Sequence, residues 1–278
     1  MTDRRPLLPV PRQLPVLGHR AQALLQLPIE GLRFDMDVWT GVTYGPEPQQ
    51  KLDVWELNDL APRDGWPAVL FVHGGGWVSG SRESFRLQAP LLARRGVLSA
   101  AASYRLGEQG PWPTQLEDVI AAIESLESMQ VNPQRIALWG VSAGGHLALL
   151  AAQALGPERI QAVVTVGAPT DLGRLDRNRW PELGVVFGDM DLSAASPARL
   201  EAPLPPVLAL HGAWDSVVPI EQSHRLASAH PGTQVRVVAG ADHLLRTPAG
   251  WWALRHARAW LARHIVHEGR QSKWRRNR

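Results

Sequence analysis

Short apolar runs alternate with helix-like segments over most of this chain, and that alternation restricts the fold more than any other feature of the sequence. Six runs have the length and composition of strands buried on both faces; they lie at residues 68–72, 97–103, 136–139, 162–166, 207–210 and 234–238. Five segments space apolar residues three and four apart, as helices do; they are residues 84–95, 114–129, 143–155, 219–229 and 249–266. The alternation predicts an α/β fold with a mostly parallel sheet and helices on both faces.

Two further segments predict an antiparallel pair at the N-terminal edge of this sheet. Residues 34–44 and 51–57 alternate apolar and polar side chains, and a Gly-Pro-Glu-Pro sequence at residues 45–48 separates them. A period of two is typical of strands, and Gly and Pro between two such strands predict a turn. With these two strands the expected sheet has eight.

The length of 278 residues fits one α/β domain, which we expect at residues 34–266. Residues 1–33 are rich in Pro and Leu and are predicted to pack on that domain as an extension. Residues 171–205 are the longest insertion between strands and are the predicted lid, since sites in open parallel sheets lie beyond the C-terminal strand ends. Residues 267–278 form a basic tail, predicted to be solvated.

Charge and composition exclude several classes of function. The net charge is +3, and residues 267–278 alone carry five basic residues against one acidic residue, so the rest of the chain has no basic bias. We therefore expect no nucleic-acid partner. The chain has no cysteine, which excludes disulfides, a thiolate metal site and a cysteine nucleophile. The Gly-Asp-Met-Asp sequence at residues 188–191 is interpreted as a solvated turn, so no metal and no cofactor are expected.

Two features bear on compartment. No run approaches the roughly 18 apolar residues of a membrane-spanning helix, so no membrane span is expected. The N-terminus is interrupted by prolines at positions 6, 9, 11 and 15, which does not match the unbroken apolar core of a signal peptide. A cytoplasmic location is the resulting expectation.

A candidate nucleophile lies where a predicted strand meets a predicted helix. Residues 140–144 read Gly-Val-Ser-Ala-Gly, between the apolar run ending at Trp139 and an Ala- and Leu-rich helical segment. A nucleophilic serine needs a strained turn that projects its hydroxyl from the sheet edge, and flanking glycines leave room where strand and helix crowd together. We therefore predict that Ser142 is the nucleophile.

The sequence His-Gly-Gly-Gly-Trp at residues 73–77 directly follows the apolar run 68–72. Glycines at a strand end let backbone N–H groups approach a ligand and stabilise an oxyanion. We predict Gly75 and Gly76 as donors, with the N–H of Ala143 as the third. A phosphate loop of the Walker type is the alternative, but its Gly-Lys-Ser/Thr ending is absent.

A nucleophilic serine needs a histidine base. His243 lies after the last predicted strand and before the last helix, where its ring can reach back over the sheet edge. His146 is one turn along the helix after Ser142 and is expected to pack. His73 and His211 sit at strand ends and are expected to support the site rather than act as the base.

The base in turn needs an acid that orients it. Asp215 follows the apolar run 207–210 in a loop with a tight Gly turn and a Pro at a helix start, and it is the first choice. Asp242 is second, because the side chain of the residue adjacent to His243 points elsewhere. Asp171, after the run 162–166, is third.

Five motifs occur in the order found in α/β-hydrolase esterases, and together they carry a resemblance over about residues 42–265. They are HGGGW at 73–77, SYRLGEQGPWPTQLEDV at 103–119, GVSAGGHLA at 140–148, HGAWDSVVP at 211–219 and GADH at 240–243. The chain is similar to the hormone-sensitive-lipase-like and feruloyl-esterase-like (BD-FAE) branches of that superfamily. The resemblance implies a serine esterase with a Ser142–Asp215–His243 triad, matching the chain order expected for this superfamily, and with Gly75, Gly76 and Ala143 as the oxyanion hole.

The expected activity is hydrolysis of small carboxylic esters through an acyl-enzyme, with Trp77 and Trp214 lining the pocket because each lies in a loop that carries a catalytic group. Other readings stay open: an arylformamidase, a carbohydrate acetyl or feruloyl esterase, a peptidase, or an inactive binding protein. The sequence predicts no oligomeric state.

Overall fold

The structure is a computed structural model that describes residues 36–58 and 61–266. The predicted N-terminal extension at 1–33 and the basic tail at 267–278 lie outside the described residues. Within the described residues, eight strands form one sheet. They are β1 (Met36–Thr43), β2 (Lys51–Leu57), β3 (Trp66–Val72), β4 (Leu98–Ala102), β5 (Val131–Val141), β6 (Ile160–Val166), β7 (Val207–Gly212) and β8 (Thr233–Val238).

The strands are arranged in the order β1-β2-β4-β3-β5-β6-β7-β8. β1 pairs with β2, and β2 with β4, in antiparallel register. All pairings from β4 through β3 to β8 are parallel. The predicted α/β fold, with its mostly parallel sheet and antiparallel N-terminal edge, is therefore confirmed.

The parallel strands are apolar on both faces because each face is covered by helices. Every residue of β3 is buried, and its alternate side chains enter two different cores. Ala68, Leu70 and Val72 belong to the core on one face, and Val69 and Phe71 to the core on the other. The period of two along one strand thus supplies both layers.

Six α-helices of the described chain cover the sheet: α1 (Gln88–Ala93), α2 (Thr114–Leu126), α3 (Ala143–Leu155), α4 (Glu182–Phe187), α5 (Glu221–Ala229) and α6 (Pro248–Ile265). Buried side chains of α1 and α6 share one core. Buried side chains of α2, α3, α4 and α5 share the core on the opposite face. We call these the α1/α6 face and the α2/α3 face.

The helix predicted at residues 84–95 is wrong in its extent. Residues 84–95 do not form a continuous helix: a 3-10 turn at Arg82–Phe85 precedes α1, which begins at Gln88. Pro90 explains the break, because a proline has no N–H to donate and is tolerated in the first helical turn rather than in the interior.

The insertion at residues 171–205 packs closely on the α2/α3 face. It contains α4 and three 3-10 turns, and the side chains of Leu183 and Phe187 are buried in that core. The Gln153 side chain on α3 donates to the carbonyl of Pro197 at 3.1 Å. A lid function for this segment stays a prediction.

Among the helices of the described chain, none combines the length and the apolar character that a bilayer crossing requires.

Gly144 lies at the start of α3, against the backbone at the end of β3, and it yields a stability prediction. A Cβ on Gly144 would lie 2.1 Å from the carbonyl oxygen of Val72 and 2.3 Å from that of His73, so backbone would have to move. We expect Gly144→Ala to lower the free energy of unfolding by about 3 kcal/mol or more, measured by urea denaturation. Gly184→Ala is the matched control, because a Cβ on Gly184 meets nothing within 4 Å; equal losses in both variants would contradict the argument.

Candidate active site

The turn between β5 and α3 holds Ser142 in a conformation that few non-glycine residues adopt. Its φ is 52° and its ψ is −123°, and such a backbone costs about 1–3 kcal/mol that the surroundings must offset. The Ser142 N–H donates to the carbonyl of Val166 at 2.8 Å, and the Ser142 carbonyl accepts from the N–H groups of Gly145 at 2.8 Å and His146 at 3.1 Å. Neighbouring β6 and the first turn of α3 therefore fix this turn in place.

Asp215 and His243 are joined although they lie on different loops. The Nδ1 atom of His243 lies 2.7 Å from Oδ2 of Asp215. The other carboxylate oxygen accepts from the N–H groups of Val217 at 2.9 Å and Val218 at 2.8 Å. Because Asp215 is held by backbone donors on one side, it can orient the imidazole on the other with Nδ1 protonated.

His211 lies beneath this pair and supports the carboxylate. Its Nε2 atom is 3.3 Å from Oδ2 of Asp215 and 2.9 Å from the carbonyl oxygen of Val218. Its Nδ1 atom is 2.8 Å from the hydroxyl of Ser223. Both neighbours of Nε2 are acceptors, so Nε2 carries the hydrogen and Nδ1 accepts from Ser223.

Asp215 is ionised under all ordinary conditions. Burial raises the pKa of its carboxyl, but the hydrogen bonds from His211, His243 and the Val218 N–H outweigh burial and hold the pKa well below its usual range. A carboxylate that stays charged is what an imidazole needs in order to stabilise the imidazolium that forms during proton transfer.

The competing acids are engaged elsewhere. Asp242 accepts from the backbone N–H and the Nε of Arg246, both at 2.9 Å. Asp171 lies at the base of the insertion and accepts from Nε of Arg199 at 2.7 Å. Of the three candidate acids, Asp215 is the one that contacts His243.

The competing histidines are buried and neutral. Burial lowers the pKa of His73 and of His146 to about 4 in each case. His73 stacks on Tyr104 with ring centroids 4.3 Å apart. His146 accepts from Nε1 of Trp77 at 3.2 Å and contacts the Ala195 carbonyl at 2.6 Å through its other nitrogen. Neither ring is among the residues that line the cavity described below.

These two histidines predict a stability loss in mild acid. Their folded-state pKa values of about 4 lie below the ordinary 6.5, so the unfolded chain binds more protons between those pH values and stability falls as pH falls through that window. We expect each histidine to cost about 1 to 2 kcal/mol between pH 7 and pH 5. Urea denaturation at both pH values measures the loss, and His146→Gln should make it smaller; an unchanged pH dependence in that variant would count against the buried-histidine explanation.

The predicted oxyanion loop runs beside Ser142. A Cβ on Gly74 would lie 3.0 Å from Cβ of Ser142, so only glycine permits this approach. Gly75 and Gly76 have positive φ values of 115° and 58°. Within the described residues, the N–H groups of Gly75, Gly76 and Ala143 have no backbone acceptor. Unpaired N–H groups next to a nucleophile are suited to bind developing negative charge.

One cavity of about 520 Å³ brings these groups together. That volume is in the range of small-molecule sites. Its lining includes Ser142, His243 and the three glycines of residues 74–76, and an apolar floor at the end of the α1/α6 core. The remaining lining residues are Gly80, Ser84, Phe85, Gln88, Trp139, Val141, Val166, Val217, Leu244 and Leu254.

The structure contradicts the predicted pocket role of Trp77. Its ring is fully buried in the core of the α2/α3 face, with its centroid 5.4 Å from that of Phe187. The backbone at Trp77 has a φ of 62°, and the side chain enters the core on the face opposite the cavity floor. Trp77 therefore packs in that core and is not among the residues that line the cavity.

Trp214 is likewise not a lining residue. Its side chain is 74% exposed, because the Asp215 loop turns its ring outward, where its edge lies 3.9 Å from the position of a Cβ on Gly240. The cavity walls on this side come instead from Val217 and Leu244.

Gly167 is a residue of the site that the sequence analysis missed. It follows β6 with a φ of 56°, and a Cβ there would lie 2.8 Å from Nδ1 of His243 and 3.0 Å from Oδ2 of Asp215. The signal was available in the sequence as a glycine directly after a buried parallel strand, at the sheet edge where sites form.

Comparison with known proteins places the chain in a family. The BD-FAE family model matches residues 56–229, well over half of the chain. Esterase LipC of Mycobacterium tuberculosis is 34% identical over 212 residues, covering 66% of this chain and 52% of that esterase. The isoprenylcysteine alpha-carbonyl methylesterase ICME of Arabidopsis thaliana is 27% identical over 229 residues, covering 70% of this chain and 53% of that enzyme. The chain thus spans about half the length of these curated relatives.

Solved structures show the same fold. Esterase B from Lactobacillus rhamnosis, inhibited by a tributyrin phosphonate, superposes with a TM-score of 0.72 at 21% identity, covering 90% of this chain and 92% of that one. An esterase of the bacterial hormone-sensitive lipase family gives a TM-score of 0.71 at 23% identity, covering 84% and 86%. The chain belongs to the BD-FAE family, and its fold is that of the α/β-hydrolase esterases.

Proposed function

We propose that this protein is a serine esterase that hydrolyses small carboxylic esters, with Ser142 as nucleophile, His243 as base and Asp215 as the acid that orients it. One observation carries the proposal: a histidine hydrogen-bonded at 2.7 Å to an ionised carboxylate lines the same cavity as a serine held at a positive φ. The esterase activity of the relatives that cover the same region supports it.

Acylation begins when Nε2 of His243 takes the hydroxyl proton of Ser142 and the Ser142 oxygen attacks the ester carbonyl. The negative charge that develops on the carbonyl oxygen is held by the N–H groups of Gly75, Gly76 and Ala143. His243 then donates its proton to the leaving alcohol, the C–O bond breaks, and the acyl group remains on Ser142.

Deacylation repeats these steps with water. His243 removes a proton from water, the resulting hydroxide adds to the acyl-enzyme carbonyl, and the proton returns to Ser142 as the carboxylic acid leaves. Loss of one oxyanion donor raises such a barrier by roughly 3 kcal/mol.

A substrate profile tests the proposed reaction. The purified chain is expected to hydrolyse p-nitrophenyl acetate and butyrate with higher kcat/KM than it shows for N-formylkynurenine, acetylated xylan, feruloyl sugars or a prolyl peptide. Higher kcat/KM on the formamide, the sugar esters or the peptide would reassign the reaction to that class. Absence of turnover on every substrate, together with no labelling by a fluorophosphonate probe, would instead make the protein a binding module.

Length preference reports on the cavity. Its lining includes the ends of β5 and β6, the loop glycines and Leu254 of α6, so the acyl chain length with the highest kcat/KM measures how long a chain these residues accommodate. A lid role for residues 171–205 and a cytoplasmic location remain proposals from the sequence.

A further inference from the structure

Two polar side chains in and just before α1 line the active-site cavity next to its apolar floor. Phe85, Trp139 and Val166 are buried and form an apolar floor. Apart from Ser142 and His243, the lining residues with non-aromatic polar side chains are Ser84 and Gln88. An apolar lining with a few placed polar groups is typical of small-molecule sites, and those polar groups select for a ligand with a matching group.

The amide of Gln88 is oriented by an arginine on α6. Nη1 of Arg258 contacts the side-chain Oε1 of Gln88. A guanidinium has donors and no acceptor, so the atom that it contacts must be the amide oxygen. The Gln88 NH₂ group is therefore the free end of the amide, and within the described residues it has no hydrogen-bond partner. It remains available as a donor at the cavity wall.

The field behind this donor is positive. Arg258 is half-buried, and burial together with the neighbouring Arg95 and Arg255 lowers its pKa to about 10. The charges that act on Arg258 are thus cations, and the guanidinium still keeps its proton at neutral pH. A donor polarised by a half-buried cation binds an anionic acceptor more strongly than a neutral one.

Resting on the proposed esterase reaction, we propose that the Gln88–Arg258 pair is an acyl-side specificity site for a carboxylate, so that the preferred substrates are half-esters of dicarboxylic acids. The leaving alcohol has to lie near His243, which protonates it. The acyl chain then follows the apolar floor, and its terminal carboxylate accepts from the NH₂ group of Gln88 in the field of Arg258.

Matched ester pairs test the proposal. The mono-p-nitrophenyl esters of adipic, pimelic and suberic acids are compared with p-nitrophenyl alkanoates of equal chain length; these half-esters are long enough that self-hydrolysis through a cyclic anhydride is slow. The quantity measured is the ratio of kcat/KM for the anionic ester to that for the neutral ester. In the unmodified protein this ratio should exceed one for at least one chain length.

Two substitutions should remove the preference for the anionic ester. Gln88→Leu deletes the donor and Arg258→Met deletes the charge, and each should lower the ratio about tenfold, the usual worth of a hydrogen bond to a charged group. Arg263→Met is the matched control, since Arg263 is exposed in the last turn of the same helix and its loss should leave the ratio unchanged.

If Arg258→Met fails to fold, Gln88→Glu provides a second test. A glutamate keeps the contact with Arg258 and replaces the donor by a second acceptor, so the ratio should fall below one. A ratio at or below one for every chain length in the unmodified protein, or a ratio that Gln88→Leu and Gln88→Glu leave unchanged, would overturn the proposal. Failure of both the neutral and the anionic esters to react would instead reject the esterase function itself.

Discussion

Ser142→Ala is expected to lower the turnover of p-nitrophenyl butyrate by roughly 10⁴-fold or more, because it removes the hydroxyl of the proposed nucleophile. Binding and the oxyanion N–H groups remain, so only a residual rate over water should persist. The variant should also lose all labelling by a fluorophosphonate probe. The stability of the variant should not fall, because the hydrogen bonds that Ser142 makes in this turn come from its backbone atoms and alanine keeps them.

Ser128→Ala is the matched control for this substitution. Ser128 is exposed, and among the residues that the structure describes its hydroxyl bonds to the carbonyl of Ser125, at 2.7 Å. Turnover and probe labelling should equal those of the unmodified protein. If Ser142→Ala kept more than a few per cent of the turnover while remaining folded, another group would have to be the nucleophile.

Asp215→Asn is expected to lower kcat by about 10⁴-fold with little change in KM. The side-chain oxygen of an asparagine can still accept from the N–H groups of Val217 and Val218, so the loop can keep its shape. Its NH₂ group would then face Nδ1 of His243, which makes Nδ1 an acceptor and moves the ring hydrogen to Nε2. An imidazole in that tautomer cannot take the proton of Ser142.

Asp242→Asn tests whether the loss comes from the changed tautomer of His243 or only from removing a negative charge near His243. Asp242 is the residue before His243, but its carboxylate pairs with Arg246 at the surface. Surface substitutions usually change stability by no more than about 0.5 kcal/mol, and we expect kcat to change by no more than about threefold. A large loss in Asp242→Asn and a small one in Asp215→Asn would exchange the roles of the two carboxylates.

Much of the site could be predicted because its local requirements leave a signal in neighbouring residues. A serine on a strained turn needs small residues on both sides, and the crowding measured at Gly140 and Gly144 shows why: a Cβ on Gly140 would lie 2.3 Å from the carbonyl oxygen of Gly144. The glycines of the predicted oxyanion loop are crowded by neighbouring atoms in the same way. Their sequence pattern is a direct consequence of short backbone contacts.

The direction of the large side chains was not predictable in this way. Trp77 adjoins the oxyanion glycines in sequence, yet its ring belongs to the core on the α2/α3 face, where its N–H contacts His146. Trp214 is one residue from Asp215 and faces solvent. Which side of a loop a side chain takes depends on its φ and on the packing around it, and neither is encoded in the distance along the chain to a catalytic residue.

By itself the sequence determined the strand and helix alternation, the antiparallel edge and the local glycine-rich turns, because hydrophobic period and backbone sterics act between near neighbours. Only the tertiary structure decided which carboxylate meets His243, that Gly167 borders that pair, and that Gln88 meets Arg258 across 170 positions of the chain. Those contacts join residues far apart in sequence, and their geometry exists only once the two helical layers have packed on the sheet.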